Sequence, residues 1–200
     1  MGKTTKILLI VFGAFILIAF MLVSWFVGVY NTLQEMDEDV AGKWAQVENV
    51  YQRRSDLIPN LVNTVKGYAD FEQETLTGVI EARSKATSIN IDPSNLSPAA
   101  IGQFQKAQEG LSSALSRLLV TVERYPELKA NQNFLELQSQ LEGTENRIAV
   151  ERMRFNESVQ ALNAKIRKIP ASLIAPIAGV ERKGYFEADE GSDQAPKVEF

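Results

Sequence analysis

The polar residues best placed for chemistry lie in two segments whose apolar residues recur at helical spacing. Arg54 and Arg152 fall in or beside these apolar registers, so their side chains are expected between helices. Buried charge must be paired, and Asp56 or Glu145 would satisfy an arginine there. We interpret the set as a polar inter-helix network that fixes register and oligomeric state; the alternative is a polar functional site inside a bundle. Its members are Arg53, Arg54, Asp56, Asn60, Glu145, Arg152 and Asn156.

The chain contains no histidine and no cysteine, and this removes several classes of function. Zinc sites of the Cys/His kind, thiol redox chemistry, Ser-His-Asp hydrolysis and histidine-ligated haem all need these residues. A carboxylate-bridged di-iron bundle needs Glu-x-x-His motifs and is excluded for the same reason. We therefore predict no catalytic residue, no cofactor, no metal site and no enzymatic activity.

An uncharged apolar run, Ile7–Tyr30, must position everything that follows it. At 1.5 Å per residue this run is about 36 Å long, enough to cross a hydrocarbon core of about 30 Å with some tilt. A cleaved signal peptide is the alternative, but its apolar region is usually about 7–15 residues long and ends in small residues. The sequence predicts an uncleaved membrane anchor over residues 1–30.

The charges and aromatic residues beside this run predict its orientation. Lys3 and Lys6 precede it, whereas acidic residues follow it. By the positive-inside rule, the N-terminus is expected in the cytoplasm and the rest of the chain outside the cell membrane. Trp25 and Tyr30 are placed for an aromatic belt at the outer interface.

Beyond the anchor, apolar residues recur in steps of three and four, and strand patterns are absent. The spacing predicts long helices over residues 31–86, 98–124 and 126–169. Pro59 either kinks the first helix or splits it, and the unbroken apolar register favours a kink. The fold class is therefore all-α: a transmembrane helix that continues into an antiparallel up-and-down bundle of three to four long helices, residues 31–170.

After Pro170 the pattern changes. Residues 171–180 are apolar but contain proline and glycine, and predict a strap over the bundle end or a small contact site. Residues 181–200 are acidic and without periodicity, so most of them are expected to be disordered. Tyr185 and Phe186 interrupt this polarity and are candidates for docking.

Several segments in fixed order resemble the LemA family of bacterial membrane proteins. They are Tyr30-Asn31, Gln52–Arg83, Leu115–Val159 and Lys183–Ala188. One departure is Phe71, which stands where the family pattern favours histidine. The resemblance implies an N-terminal membrane helix and an antiparallel helical bundle, and it brings no catalytic residues with it.

These observations lead to a non-enzymatic, membrane-anchored scaffold that self-associates through its apolar seams and organises membrane or envelope partner proteins. The alternative is an adaptor or accessory subunit of another envelope complex, such as a protease or a transporter. Expected partners are membrane lipid, further copies of the chain and an envelope protein. Nucleic acid is not expected, because 21 basic residues are scattered among 25 acidic ones, giving a net charge of −4.

Overall fold

A computed structural model describes residues 2–67 and 72–188, and all regular structure in these ranges is helical. The all-α fold class predicted from the sequence is confirmed. The helices are α1 (Lys3–Lys66), α2 (Gln73–Ser88), α3 (Pro98–Val122), α4 (Pro126–Lys129), α5 (Gln132–Ile166) and α6 (Ala171–Ala178).

The first predicted helix, residues 31–86, differs most from the structure. Helix α1 contains Pro59 in its interior and ends only at Lys66, and α2 then begins at Gln73. Proline removes one backbone hydrogen bond from a helix, and here that loss does not end α1. The helix instead ends just before Gly67, a residue type with low helix propensity. Tyr68 and Phe71 lie outside the described residues.

Capping side chains explain where the later helices begin. The Ser97 hydroxyl accepts a hydrogen bond from the Ala100 amide at 3.3 Å, and Pro98 occupies the first turn. The Asn131 side chain accepts one from the Phe134 amide at 3.1 Å, directly before α5. The predicted helix over 126–169 is therefore the short α4 followed by α5.

The chain divides into two compact units that are not sequential. Of the described residues, unit 1 comprises 2–40 and 160–182, and unit 2 comprises 41–67, 72–159 and 183–188. The main apolar cluster of unit 2 draws buried side chains from α1 to α5. Its members are Ile58, Leu61, Val62, Val65, Leu76, Val79, Ala86, Leu111, Leu115, Leu118, Val122, Leu128, Phe134 and Leu141. The seams predicted to attract neighbouring copies are thus buried within the chain itself.

Unit 1 contains the apolar run, and there the large apolar side chains of α1 are exposed, Phe12, Phe15 and Phe20 among them. Within the described residues, α1 is the one helix long and apolar enough to cross a membrane. The window with that property has no buried residues, so it is not the core helix of a globular domain. This finding indicates a single-pass membrane protein.

The predicted strap over 171–180 contains a helix, α6. Gly179 ends it in the left-handed conformation with φ 69°. The Val180 amide donates to the Ala175 carbonyl at 3.0 Å, and the Gly179 amide donates to the Pro176 carbonyl at 3.4 Å. This pair of bonds is a Schellman motif, which satisfies carbonyls that the end of the helix leaves free.

The segment predicted to be mostly disordered, residues 181–200, is described only in its first part, where Phe186, one of the two candidates for docking, is buried and Tyr185 is exposed. Residues 181–188 are non-helical, yet Lys183, Gly184 and Phe186 are buried. Residues 189–200, the rest of the predicted disordered tail, lie outside the described residues.

Candidate functional site: a clasp for an extended segment

A buried arginine in unit 2 joins three helices. Arg54 of α1 is 1% exposed. Its Nη1 donates to the Ser112 hydroxyl at 2.8 Å and to the Glu145 carboxylate at 2.7 Å. Its Nη2 donates to the side-chain oxygen of Gln108 at 2.7 Å and to that residue's carbonyl at 3.3 Å. We call Arg54, Gln108, Ser112 and Glu145 the Arg54 network.

The Arg54 network compensates the buried charge but leaves one donor free. The guanidinium lies over the Tyr51 ring, 5.0 Å from its centroid, and the Nε of Arg54 is buried without a hydrogen-bond partner. The Glu145 side chain is 44% exposed, so solvent screens the carboxylate end of the pair. The arrangement therefore anchors α1 to α3 and α5, and no acid–base pair in it is placed for proton transfer.

The other sequence-predicted polar residues of α1 are not in the Arg54 network. Arg53, Asp56 and Asn60 are exposed. Asp56 accepts a hydrogen bond from Gln52 at 3.1 Å, and the Asn60 carbonyl accepts one from Thr64 at 2.9 Å, both within α1. Positions two apart on a helix do not face each other, so Asp56 does not reach Arg54.

The remaining two, Arg152 and Asn156, hold the extended segment that follows unit 1. The Asn156 side chain donates to the Phe186 carbonyl at 2.9 Å and accepts from the Phe186 amide at 2.9 Å. Gln105 of α3 does the same at Glu187, donating at 3.1 Å and accepting at 3.0 Å. Arg152 adds a bond to the Glu187 carbonyl at 2.7 Å. We call Gln105, Arg152 and Asn156 the clasp.

The clasp delivers one side chain, Phe186, into an aromatic pocket. The Phe186 ring stacks on Trp44 at 6.0 Å with an interplanar angle of 15°, and it meets Phe155 edge-on at 5.5 Å. Phe104 closes the pocket at 6.4 Å. The Arg152 guanidinium lies 5.0 Å above the Phe186 ring, which adds a cation–π contact. The neutral amides thus bind the backbone, and the pocket selects the side chain.

A close backbone approach fixes the start of the segment. The Gly184 amide donates to the Leu96 carbonyl at 2.8 Å, and the Lys183 ammonium donates to the Ser94 carbonyl at 3.5 Å. A Cβ atom at Gly184 would lie 2.7 Å from the Pro98 Cα, closer than atoms approach. Only glycine fits at this position.

Glu48 is the carboxyl whose pKa rises in this part of unit 2. Partial burial raises the pKa of Glu48 above its ordinary value of 4.5, and the nearby Trp44 indole N–H partly offsets this. That N–H is buried and has no acceptor in hydrogen-bond geometry, so its effect on Glu48 is electrostatic. Nothing in this pair resembles a catalytic dyad.

A cavity of about 240 Å³ lies between the Arg54 network and the clasp. Its lining mixes arginine, glutamate, serine and glutamine side chains that already bond to one another. In residues 2–67 and 72–188, no group of three or more Asp or Glu side chains is placed to hold a metal ion.

Sequence reasoning missed the aromatic pocket, Gln105 and Gln108. One signal was present, since Gln108 is the polar member of an otherwise apolar register in α3. Gln105 gave no such signal, because an amide on an amphipathic helix usually faces water.

The residues predicted to orient the anchor lie along α1. Lys6 and Trp25 are exposed, Tyr30 is half-buried, and its ring stacks on Phe26 at 6.5 Å. Lys3 begins the helix, and its side chain lies outside the described part.

The fold and the clasp define a class of protein: a helical bundle on an N-terminal apolar helix, with an extended segment held against its own helices. The chain belongs to the LemA family, whose model matches residues 43–200. The resemblance noted in the sequence is thereby confirmed.

Three relatives, from three bacteria, support this assignment. Magnetosome protein MamQ of Magnetospirillum gryphiswaldense is 27% identical over 96% of this chain and 76% of its own length. Magnetosome protein MamQ 2 of Paramagnetospirillum magneticum is 27% identical over 82% of this chain and 66% of its own. Protein LemA of Metamycoplasma hominis is 25% identical over 82% and 72%. None of these names denotes an enzymatic activity.

Proposed function

We propose that this protein is a non-enzymatic, membrane-anchored scaffold that self-associates and organises membrane or envelope partner proteins. The observation that carries the proposal is the clasp. Its side chains bind both backbone edges of an extended segment, and the neighbouring pocket takes one aromatic residue. This is how proteins recognise extended peptides: main-chain hydrogen bonds give affinity and pockets give specificity.

Self-association follows from the same geometry without using the buried seams. Any copy of the chain carries both the clasp and the segment that fits it, Lys183–Glu187. A segment that leaves its own clasp and enters that of a neighbour makes the same contacts there, which is a low-cost route to assembly. The relatives named as magnetosome proteins support membrane organisation as the setting of this assembly.

The mass of the assembled protein in mild detergent and in native nanodiscs tests self-association. We expect a concentration-dependent rise above the monomer mass. A strict monomer at high concentration in both environments would contradict the proposal.

Exchange of the segment between copies can be tested by cross-linking engineered cysteines, because the chain has no native cysteine that would react as well. One copy carries Arg152→Cys and the other Glu187→Cys, and the two are mixed and treated with a short bifunctional maleimide. Heterodimeric cross-links are expected, and a matched mixture with Val120→Cys in place of Arg152→Cys should give far fewer. Equal yields in the two mixtures would rule out exchange at the clasp.

An accessory role in another envelope complex, such as a protease or a transporter, is favoured if the clasp accepts a partner's aromatic segment. Deleting residues 181–200 empties the clasp and removes the acidic tail. Unchanged co-purifying proteins after this deletion would count against that surface.

We place the chain in the cell membrane with a cytoplasmic N-terminus and the bundle outside. Lys3 and Lys6 before the apolar run, with Lys43 as the first basic residue after it, support this orientation. In intact cells, a membrane-impermeant maleimide should label Val120→Cys and leave Thr4→Cys unlabelled. The reverse pattern would overturn the orientation.

A further inference from the structure

Helix α6 of unit 1 carries an apolar face that no side chain of residues 2–67 and 72–188 covers. Leu173 and Ile177 are four residues apart and therefore lie on one side of the helix, and Ile169 lies in the turn directly before it. Their exposed fractions are 70%, 67% and 82%. The opposite side is buried through Ala171, Ile174 and Ala175. Water-exposed apolar rows of this kind mark a contact surface.

The position of α6 along α1 indicates what this surface contacts. The Gln34 side chain donates to the Ala178 carbonyl at 2.8 Å, so the end of α6 lies beside residue 34. Residue 34 is one helical turn, about 6 Å, beyond Tyr30, where the apolar run ends. The headgroup layer on each side of a hydrocarbon core is about 5–8 Å thick. The hydrogen bond therefore places the end of α6 at the depth of the headgroups.

The charges around α6 fit a lipid surface as well. The helix itself, ASLIAPIA, has no charged residue. Arg167 and Lys168 precede it, and Glu181 and Arg182 follow it, all exposed, so the flanking charge is mostly basic. An apolar face flanked by basic residues is typical of helices that lie in the membrane interface, where anionic headgroups meet the basic groups.

We propose that α6 is an interfacial helix, and that Ile169, Leu173 and Ile177 insert into the leaflet at the Tyr30 end of the apolar run. Its occupant is lipid, at the boundary between headgroups and acyl chains. The inference rests on α1 crossing the membrane and does not depend on self-association.

Because the chain has no cysteine, one engineered thiol reports the depth of α6. Leu173→Cys is labelled with an environment-sensitive fluorophore, and the full chain is reconstituted into nanodiscs containing anionic lipid. We expect blue-shifted emission, several-fold quenching by lipids with a nitroxide near the headgroup, and protection from aqueous iodide. Val120→Cys is the matched control, because Val120 is equally exposed, at 71%, on α3 of unit 2. Its label should behave as in water.

Two outcomes would overturn the proposal. A label at residue 173 that iodide quenches as strongly as the control lies in water. A label protected from iodide but insensitive to nitroxide lipid lies against protein, in a second copy or another partner. Failure of the chain to enter nanodiscs at all would instead contradict the membrane span. Ile177→Cys repeats the measurement one turn away, so a folding defect of one variant does not decide the result.

Discussion

The Arg54 network and the clasp lie in the same unit and draw on the same helices, but they hold their targets differently. In the network, a charge that is 1% exposed is fixed by side chains of α3 and α5. In the clasp, two neutral amides and the guanidinium of Arg152 hold a backbone, and the buried group is a phenyl ring. When one partner of a buried charge is removed, the group that remains is buried without compensation, and its desolvation cost is large. Removing the segment from the clasp leaves amides that water satisfies.

This difference separates a structural site from the recognition site that we propose. The Arg54 network has one arrangement, which depends on three helices being in place. The clasp makes its hydrogen bonds to backbone atoms that every residue carries, so its occupant is defined by one aromatic side chain and one glycine. An exchangeable contact is therefore expected at the clasp and not at the network.

The largest expected effect comes from the network. Arg54→Ala should lower the free energy of unfolding by about 3 kcal/mol, because it leaves the side-chain oxygen of buried Gln108 without a donor and opens a void. Thermal unfolding of the full chain followed by circular dichroism measures it. Arg53→Ala, one residue earlier and exposed, should change it by less than about 0.5 kcal/mol. Equal effects of the two substitutions on the free energy of unfolding would contradict a structural role for the Arg54 network.

Phe186→Ala should act locally. Loss of its buried ring weakens attachment of the segment by about 3 kcal/mol, while the melting temperature of the helices changes little. Hydrogen exchange at the Glu187 amide should then accelerate about 100-fold, since about 1.4 kcal/mol is a factor of ten.

Tyr185→Ala is the control for this change, because Tyr185 is the neighbouring aromatic residue and is 39% exposed. A drop in overall stability after Phe186→Ala as large as that from Arg54→Ala would break the distinction between the two sites.

Gly184→Ala tests the close approach to Pro98 and should have a smaller effect. The added Cβ meets backbone, so we expect a cost of about 1–3 kcal/mol, confined to the segment. The rate of hydrogen exchange at the Phe186 amide measures it. Gly143→Ala lies in open space within α5 and should stabilise that helix by about 0.5–1 kcal/mol. If Gly184→Ala leaves the exchange rate unchanged, the approach is not a constraint.

The smallest effect is expected from pH. The pKa of Glu48 is raised, so the folded state holds its proton more tightly than the unfolded state. Stability from this group is full below the ordinary value of 4.5 and falls as the pH rises through the folded pKa. Glu48→Gln should therefore raise the melting temperature at pH 7 and leave it unchanged near pH 4.

Asp92 provides the opposite case, because hydrogen bonds from the Ser94 amide and hydroxyl lower its pKa. Its contribution is present above the ordinary value and is lost as the pH falls through the folded pKa. Asp92→Asn should lower the melting temperature at pH 7. The same sign for both substitutions at pH 7 would refute the assignment.

The helices and the buried arginine could be predicted from the sequence, because both are local signals. Apolar spacing shows the helices, and Arg54 interrupts an apolar register. The sequence also allowed a choice between Asp56 and Glu145 as the partner of Arg54, because the side chains of residues two apart on a helix do not face each other. The end of α1 could not be predicted from the sequence. The apolar register continues past Lys66, and Pro59 was the more conspicuous helix breaker.

The clasp could be predicted only in part: Arg152, Asn156 and Phe186 were candidates, but Gln105 and the way these residues meet were not, because they are distant in sequence and ordinary in type. Gln105 and Glu187 are in contact although they are far apart in the sequence, and neither residue type is unusual on a polar surface. The acidic composition of the last 20 residues suggested disorder, but composition averages over a segment. A single ring and a glycine that fits against Pro98 are enough to order residues 183–187.

The hydrogen bond between Gln34 and Ala178 has a further consequence for unit 1. A lone transmembrane helix turns freely about its long axis, because lipid surrounds it evenly. A second helix bound at its side, with an apolar face in the interface, makes most rotational angles unfavourable. With the proposed lipid contact, α1 would thus have a fixed azimuth as well as a fixed depth, and each copy would present a defined side to its neighbours in the plane of the membrane.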